Sequence, residues 1–198
     1  DTGHIMYRNV CQIGPEDTAG DVHDRLMELG AKLVCLTVDS IIENNVEFRI
    51  QKSFIQGSEI LKPAPKITKE LCHICWNDSV KQIHDLVRGL SPYPGAFTEL
   101  VKDGKATQMK IFRTLKIEGE EYRKMLAQNN IAEAVPGTIL SDGKTYLAIA
   151  ASDGAVSVTE LQLAGKKRMQ AKDFLIGFRD PQDYATSEGT SSQVTGRQ

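Results

Sequence analysis

Two short stretches of this 198-residue sequence carry side chains that could do chemistry. Asp1, Thr2 and Gly3 form the tripeptide DTG, and residues 165–169 read GKKRM. In aspartic proteases, two DTG loops each supply one carboxylate, and the pair shares a proton. This sequence has no second DTG or DSG, and a strand-then-helix pattern follows the first one. An aspartic protease is therefore rejected as an interpretation.

The GKKRM stretch places three consecutive cations after a predicted strand. Lys166, Lys167 and Arg168 could each contact a phosphate, as a point charge or as a guanidinium fork. Basic triplets are more often solvated turns, so spacing alone leaves both interpretations open. Lys110 and Arg113 lie three apart in another predicted strand. They should point to opposite faces unless a bulge intervenes.

The cysteines and histidines do not form a recognisable metal motif. Cys72 and Cys75 belong to the sequence CHIC, but a structural zinc site needs a second pair of ligands. Cys11 and Cys35 are far away in sequence and lie in apolar contexts. No two histidines have the i, i+4 spacing of a helical metal site. We therefore expect reduced cysteines and no metal.

The composition is typical of a soluble protein. Hydrophobic residues make up 40% of the sequence and charged residues 25%, with a formal net charge of −2. Such a charge excludes a global basic field of the kind that attracts nucleic acid, although residues 67–178 are mildly positive. No apolar run is long enough to span a bilayer. We expect a cytoplasmic protein without a membrane segment.

Residues 1–44 predict the end of an α/β domain. Alternating apolar residues over 4–13 predict a strand, and apolar residues every three or four positions over 22–42 predict a covering helix. Gly30 should bend or divide that helix. Residues 45–66 lose the pattern and contain KPAPK, which predicts an extended linker.

Residues 67–178 predict a helix followed by a small antiparallel barrel. The helix lies within 77–90, with Asn77 or Asp78 as its cap and with Val80, Ile83, Val87 and Leu90 facing inward. At least five short strands follow, and Asp-Gly dipeptides mark tight turns between them. A short helix within 169–178 is predicted to close the domain. The polar tail 179–198 is predicted to be disordered.

The sequence SPYPG joins this helix to the first strand of the barrel. It places Tyr93 between two prolines. Because proline fixes φ, the segment should form a stiff elbow that presents an aromatic ring. We interpret it as a corner that sets the direction in which the first strand leaves the helix.

Several longer motifs resemble those of methionyl-tRNA formyltransferases. In order, they read DTG, IGPEDTAGDVHDRLMELGAKLV, APKITKE, SVKQIHDLVRGLSPYPGAFT, MKIFR, PGTIL and ELQLAGKKRMQAKDFL. They cover roughly residues 1–178 and match the back part of the family's chain. The resemblance implies an α/β remnant of a Rossmann-like formyltransferase domain at 1–44 and a linker at 45–66. It further implies an OB-like antiparallel β-barrel at 67–178 that helps to bind tRNA.

The resemblance also implies a reaction and site residues. The family transfers a formyl group from 10-formyltetrahydrofolate to the amino group of methionyl initiator tRNA, without a metal. Asp1 matches the family's catalytic carboxylate, which orients a histidine and raises the pKa of its imidazole. The residues expected to bind tRNA are Lys166, Lys167, Arg168, Lys110 and Arg113.

Other family features are absent from this sequence. The catalytic Asn-x-His element, the folate loop and the first strands do not occur, so most of the folate site should lie in a missing N-terminal half. We expect the intact protein to be a monomeric enzyme and this chain alone to be inactive. The stretch 118–135 is longer than the family's usual connection.

Two alternatives come from other classes of function. One is the back half of a related folate-dependent formyltransferase or hydrolase that acts on a sugar nucleotide or a folate. GKKRM and the polar tail favour the tRNA enzyme over it. The other is a nucleic-acid-binding module without an enzymatic partner, which the strand–helix remnant at 1–44 disfavours.

Overall fold

The computed structural model describes residues 3–54 and 63–187. The chain divides into two compact units, residues 1–66 and residues 67–198. Among the helices of the described ranges, none combines the length and the hydrophobicity that crossing a bilayer requires.

The first unit contains one long helix, α1 (Ala19–Ile42). It begins at a capping box, in which the Thr18 hydroxyl accepts the Asp21 N–H at 3.2 Å and the Asp21 carboxylate accepts the Thr18 N–H at 2.8 Å. The helix runs without interruption through Gly30, so the predicted bend or break there is wrong. A single glycine destabilises a helix by only about 1 kcal/mol relative to alanine. The favourable interactions of the other helical residues are enough to offset this cost.

The strand predicted over 4–13 does not form. Only Ile5 pairs, as an isolated antiparallel bridge to Arg49 with N–O distances of 2.8 and 3.0 Å. A strand needs a neighbour along its whole length to satisfy its backbone groups, and the described part of this unit offers one bridge. A Rossmann-like sheet is therefore not evident, and the α/β part of the predicted fold is not confirmed. A single 3₁₀ turn follows at Gln51–Phe54.

The second unit opens with helix α2 (Val80–Leu90). Its N-cap is Ser79, whose hydroxyl and backbone N–H exchange hydrogen bonds with Gln82 in a second capping box. The predicted caps, Asn77 and Asp78, lie too early because Ser79 is the residue placed three positions before a glutamine. The inward face is the predicted one, with buried Val80, Ile83, Val87 and Leu90.

Seven strands build the sheet that follows. They are β1 (Ala96–Lys102), β2 (Lys105–Ile117), β3 (Ile139–Ser141), β4 (Leu147–Ala150), β5 (Ala155–Leu163), β6 (Met169–Gln170) and β7 (Ala185–Thr186). The order is β3-β4-β5-β2-β1-β7, with β6 on β5, and every pairing is antiparallel. This nearly closed sheet confirms the predicted small antiparallel barrel. The Asp103–Gly104 turn joins β1 to β2, with φ of 51° and 74°.

One main core fills the space between α2 and the sheet. Its fully buried members include Trp76, Met109, Ile111, Leu147 and Leu161. Helix α3 (Gly119–Gln128) lies within the long stretch 118–135, and its Met125 joins a smaller apolar cluster. A short helix, α4 (Ala171–Leu175), contributes Phe174 and Leu175 to the main core, at the position where the sequence predicts a closing helix.

The start of the polar tail is ordered, contrary to the predicted disorder of 179–198. Pro181–Asp183 forms a 3₁₀ turn, and β7 then pairs with Leu100 and Val101 of β1. The Thr186 hydroxyl donates to the Gly137 carbonyl at 2.8 Å. A polar sequence can complete a sheet edge because backbone groups, which any residue supplies, make the pairing. Residues 188–198 lie outside the described ranges.

Candidate nucleic-acid interface

A β-bulge in β2 brings Lys110 and Arg113 to one face of the sheet. Lys110 pairs with Gln162 and Arg113 pairs with Glu160, with register shifts on both sides of Arg113. Gln162 and Glu160 are two positions apart in β5 and therefore share a face. The strict alternation that would separate the two cations does not hold here, because the bulge adds one residue to β2.

Arg113 and Arg168 converge on the carboxylate of Glu160. Arg168 donates from Nε to Oε1 at 2.7 Å and from Nη2 to Oε2 at 2.6 Å. Arg113 Nε lies 3.8 Å from Oε2 of the same carboxylate. The Arg168 guanidinium also lies 4.2 Å from the centre of the Phe112 ring. This cluster carries two positive charges and one negative charge, so the charge of Arg168 is largely balanced within the protein.

Lys166 and Lys167 differ from Arg168 in this respect. Both residues are exposed, and within the described ranges neither ammonium group forms an ion pair. The turn that carries them is fixed by its backbone: Lys166 N donates to Leu163 O at 2.9 Å, and Gln162 Nε2 donates to Lys166 O at 2.7 Å. Gly165 adopts φ of 74°, which permits the tight exit from β5.

Lys110 links the same face of the sheet to the SPYPG elbow. Its Nζ donates to the Pro94 carbonyl at 2.8 Å, and Gly95 N donates to Leu90 O at 2.9 Å. Gly95 has φ of 85°, and a Cβ there would lie 3.1 Å from the Phe112 ring. Tyr93, at the tip of this elbow, is 86% exposed. We call Lys110, Lys166 and Lys167 the basic face.

Two cavities open along the basic face. The hairpin cavity has a volume of about 340 Å³, and its lining includes Gln108, Lys110, Gln162 and Gly165. The elbow cavity has a volume of about 300 Å³, and its lining includes Ile67, Lys69, Pro94, Phe97, Gln108 and Lys110. They share Gln108 and Lys110. None of the described residues that line them is acidic, although Glu99 lies opposite Gln108 in the β1–β2 register.

The CHIC cysteines belong to the interior of the protein. Cys72 and Cys75 are buried, and Cys72 Sγ donates to Thr68 O at 3.2 Å. Burial raises the pKa of the Cys72 thiol, which keeps it protonated and unreactive. The ring of His73 stacks on Phe97 at 4.8 Å. Across the described ranges, no group of three or more His, Cys, Asp or Glu side chains is placed to hold a metal ion.

The predicted catalytic residue, Asp1, lies outside the described residues, so its role stays a prediction. The nearest described position is Gly3, whose carbonyl accepts a hydrogen bond from Gln51 Nε2 at 2.9 Å.

Helix α1 leaves large apolar side chains exposed, among them Leu26 at 50% and Met27 at 62%.

The sequence did not reveal several residues of this candidate interface. Gln108, Gln162 and Lys69 belong to no local motif. Glu160 and Arg168 are eight residues apart in the sequence, and no local pattern predicts that they pair. Tyr93 was visible in SPYPG but interpreted only as part of a corner. The signal that could have found them is register: once β2 and β5 are paired, the outward residues follow from alternation.

A small antiparallel barrel with cations on one outer face is an architecture that commonly binds oligonucleotides. Residues 66–179 match the family model described as "Formyl transferase, C-terminal domain". The chain belongs to that family.

The chain is also similar to curated bacterial proteins named methionyl-tRNA formyltransferase. It is 47% identical to the one from Phocaeicola vulgatus over 180 residues, which are 90% of this chain and 52% of the relative. It is 43% identical to the one from Parabacteroides distasonis over 185 residues, which are 93% of this chain and 54% of the relative. The chain thus spans about half the length of these relatives.

Among solved structures, the chain resembles HypX from Aquifex aeolicus. A multiply substituted variant of that protein matches with a TM-score of 0.61 and 18% identity, over 90% of this chain and 28% of that one. A second variant matches with a TM-score of 0.58. At this identity the likeness concerns the fold alone.

Proposed function

We propose that this chain is the back part of a methionyl-tRNA formyltransferase. The enzyme would transfer a formyl group from 10-formyltetrahydrofolate to the amino group of methionyl initiator tRNA, in the bacterial cytoplasm and as a monomer. The observation that carries this proposal is the identity of 43 to 47% to relatives of that name over at least 90% of the chain. Most of the donor's site would lie in the half of those relatives that the chain does not cover.

Within that enzyme, the basic face would hold the phosphate backbone of the tRNA. Lys166 and Lys167 support this role because, within the described ranges, their charges are not balanced by a carboxylate. Lys110 supports it because its pairing with Gln162 and its hydrogen bond to Pro94 hold it on the same side of the sheet. Ammonium groups placed this way suit a phosphate backbone, and releasing its counterions makes binding depend on salt.

The first unit would be the edge of the catalytic domain. Exposed Leu26 and Met27 on α1 are the kind of surface that a soluble protein usually covers. The remaining part of a Rossmann-like domain would cover them and would supply the strands with which residues 4–13 could pair. In that setting Asp1 would be the catalytic carboxylate beside a histidine from the missing half.

Fluorescence anisotropy of labelled initiator tRNA, measured with the 198-residue chain across a salt series, tests the tRNA-binding role. We expect Lys166→Ala/Lys167→Ala to reduce the slope of log K against log salt by about one to two, because up to two phosphate contacts are lost. The matched control is Lys105→Ala/Lys144→Ala, which removes the same charge from the start of β2 and from the β3–β4 turn and should change the slope much less. Absence of binding at low salt by a folded chain contradicts the role.

The reaction is tested separately with a chimera. The front half of the Phocaeicola vulgatus relative is joined to residues 1–198, and formylation of methionyl-tRNA is assayed with the labelled donor. We expect the chimera to be active, the 198-residue chain alone to be inactive, and Asp1→Asn in the chimera to abolish activity while leaving tRNA binding intact. A folded but inactive chimera that still binds tRNA would count against the assigned reaction, not against the basic face.

A further inference from the structure

The elbow cavity lies at one end of the basic face and differs from it in character. Its lining combines two cations, Lys69 and Lys110, with apolar side chains, and Ile67 at its rim is 50% exposed. A surface that only follows a phosphate backbone needs cations but no cavity and no apolar wall. The combination instead suits a ligand with an anionic part and a flat apolar part.

The two cations are placed to hold an anion. Lys110 Nζ donates one of its three N–H groups to Pro94 O, which positions the ammonium at the cavity and leaves two donors for a ligand. Lys69 Nζ lies 6.0 Å from the centre of the Phe97 ring, which forms part of the same lining. Glu70, next to Lys69, is not among the described residues that line the cavity. Its carboxyl accepts hydrogen bonds from its own backbone N–H and from the hydroxyl of Thr68, a lining residue, and these bonds lower its pKa.

An exposed aromatic residue adjoins the lining of the cavity along the chain. Tyr93 is 86% exposed and directly precedes Pro94 and Gly95, which both line the cavity. The elbow is held by the Gly95–Leu90 and Lys110–Pro94 hydrogen bonds and by two proline rings. Stacking on a ring whose backbone is already fixed loses little conformational entropy, and unpaired bases of RNA commonly stack on such side chains.

The size of the cavity suits a small ligand such as one nucleotide. About 300 Å³ is at the lower end of the range for small-molecule sites, roughly 300–1,000 Å³. A duplex presents its bases stacked and paired, so only an unpaired nucleotide could place a base here. The adjoining hairpin cavity shares Gln108 and Lys110 and extends to Gly165, which directly precedes Lys166, so the neighbouring backbone could continue in that direction.

We propose that the elbow cavity binds one unpaired nucleotide of the tRNA, with its phosphate on Lys69 and Lys110 and its base against Tyr93. This proposal rests on the proposed function, because it assumes that the basic face holds RNA. It assigns to the SPYPG elbow a binding role in addition to its structural one.

The test compares two labelled RNA hairpins with the 198-residue chain, one blunt-ended and one with unpaired 3′ nucleotides that include 2-aminopurine. We expect tighter binding of the hairpin with the overhang and quenching of 2-aminopurine fluorescence. Tyr93→Ala should weaken binding of the overhang by about tenfold without changing the salt slope, since stacking involves no counterion release. Tyr93→Phe should keep both affinity and quenching.

Two further variants separate this site from general effects. Ile176→Ala removes another large apolar side chain, 82% exposed, and should change neither hairpin's affinity. Lys69→Ala should weaken the overhang more than the blunt hairpin. If both hairpins bind equally and Tyr93→Ala alters neither, the nucleotide site is wrong, while the salt effect of Lys166 and Lys167 still supports the basic face. If no RNA binds at low salt, both proposals fail.

Discussion

Arg168 and Glu160 form a two-point ion pair on the outer face of the barrel, with N–O distances of 2.7 and 2.6 Å. This geometry divides the GKKRM cluster into two kinds of cation. Lys166 and Lys167 face solvent, whereas the positive charge of Arg168 is largely neutralised by the carboxylate of Glu160. Three adjacent cations in a sequence are therefore not three equivalent phosphate ligands.

The first prediction concerns this balance of charge. Arg168→Ala should weaken tRNA binding by about three- to tenfold at low salt, because Glu160 then faces the phosphates with less compensation. Adding Glu160→Ala restores the net charge of the cluster and should restore the affinity to within about twofold. Anisotropy titrations of the wild type, both single variants and the double variant form the test. If the double variant binds as weakly as Arg168→Ala, then Arg168 contacts the RNA itself.

The sequence predicted the parts of the fold that depend on local signals. Asp103–Gly104 is a two-residue turn with positive φ at both positions, which the Asp-Gly dipeptide itself favours. The apolar spacing of α2 likewise fixed its buried face. The prediction of a strand over 4–13 was wrong because a strand also needs a pairing partner, which local sequence does not reveal. The pairing of β7 was missed because it depends on backbone groups, which side-chain composition does not report.

The site was less predictable than the barrel. Arg113 was placed on the wrong face by alternation, since a bulge depends on how β2 meets β5 and not on the residues of β2 alone. Glu160, which balances Arg168, is brought close only by the pairing of β5 with β6. The local sequence identifies the candidate cations. Only the strand register shows which of them lie beside a carboxylate of the protein and which do not.

The second prediction concerns the polar contact inside the core. Trp76 is 1% exposed, and its Nε1 donates to the Thr98 hydroxyl at 3.2 Å. Thr98→Val keeps the shape but removes the acceptor, so it should lower the free energy of unfolding by about 1–3 kcal/mol. Urea unfolding can be followed by the fluorescence of Trp76, which is the only tryptophan in the sequence.

Thr159→Val is the control for that experiment. It makes the same chemical change at a half-buried position of β5, and its hydroxyl has no hydrogen bond to a described residue. We expect a change of at most about 0.5 kcal/mol there. Equal losses in the two variants would show that the buried indole does not depend on Thr98.

The third prediction is a pH dependence that arises in the β3–β4 turn. Desolvation alone would raise the pKa of Asp142, but hydrogen bonds from the Thr145 hydroxyl and from the N–H groups of Thr145, Lys144 and Tyr146 outweigh it. They hold the pKa of this exposed carboxyl well below its usual range. A carboxyl whose pKa is lower in the folded state stabilises the fold above its unfolded pKa, about 3.9. That contribution is lost as the pH falls through the folded pKa.

Asp142→Ala should therefore destabilise the chain at pH 7 by on the order of 1 kcal/mol, and the difference from the wild type should shrink as the pH falls below about 4. Urea midpoints measured at several pH values give the comparison. Glu133→Ala removes an exposed carboxylate without a hydrogen bond to a described residue and should show no such trend. A difference for Asp142→Ala that stays constant with pH would mean that the ionised carboxylate is not what stabilises the turn.

The fourth prediction tests how β7 is attached to the barrel. Gly137 has φ of 90°, and a Cβ there would lie 2.6 Å from Thr186 Oγ1, which donates to the Gly137 carbonyl. Gly137→Ala should cost more than about 2 kcal/mol, since it adds this collision to the strain of a positive φ, and should make the chain more sensitive to trypsin at Arg179. Gly143 has a similar φ of 71° but open space around it, so Gly143→Ala measures the strain of a positive φ alone.

Replacing Thr186 by alanine in the Gly137→Ala background should recover part of the loss. If Gly137→Ala and Gly143→Ala cost the same, and trypsin cleaves both at the wild-type rate, then the close packing of Thr186 on Gly137 does not hold β7 in place.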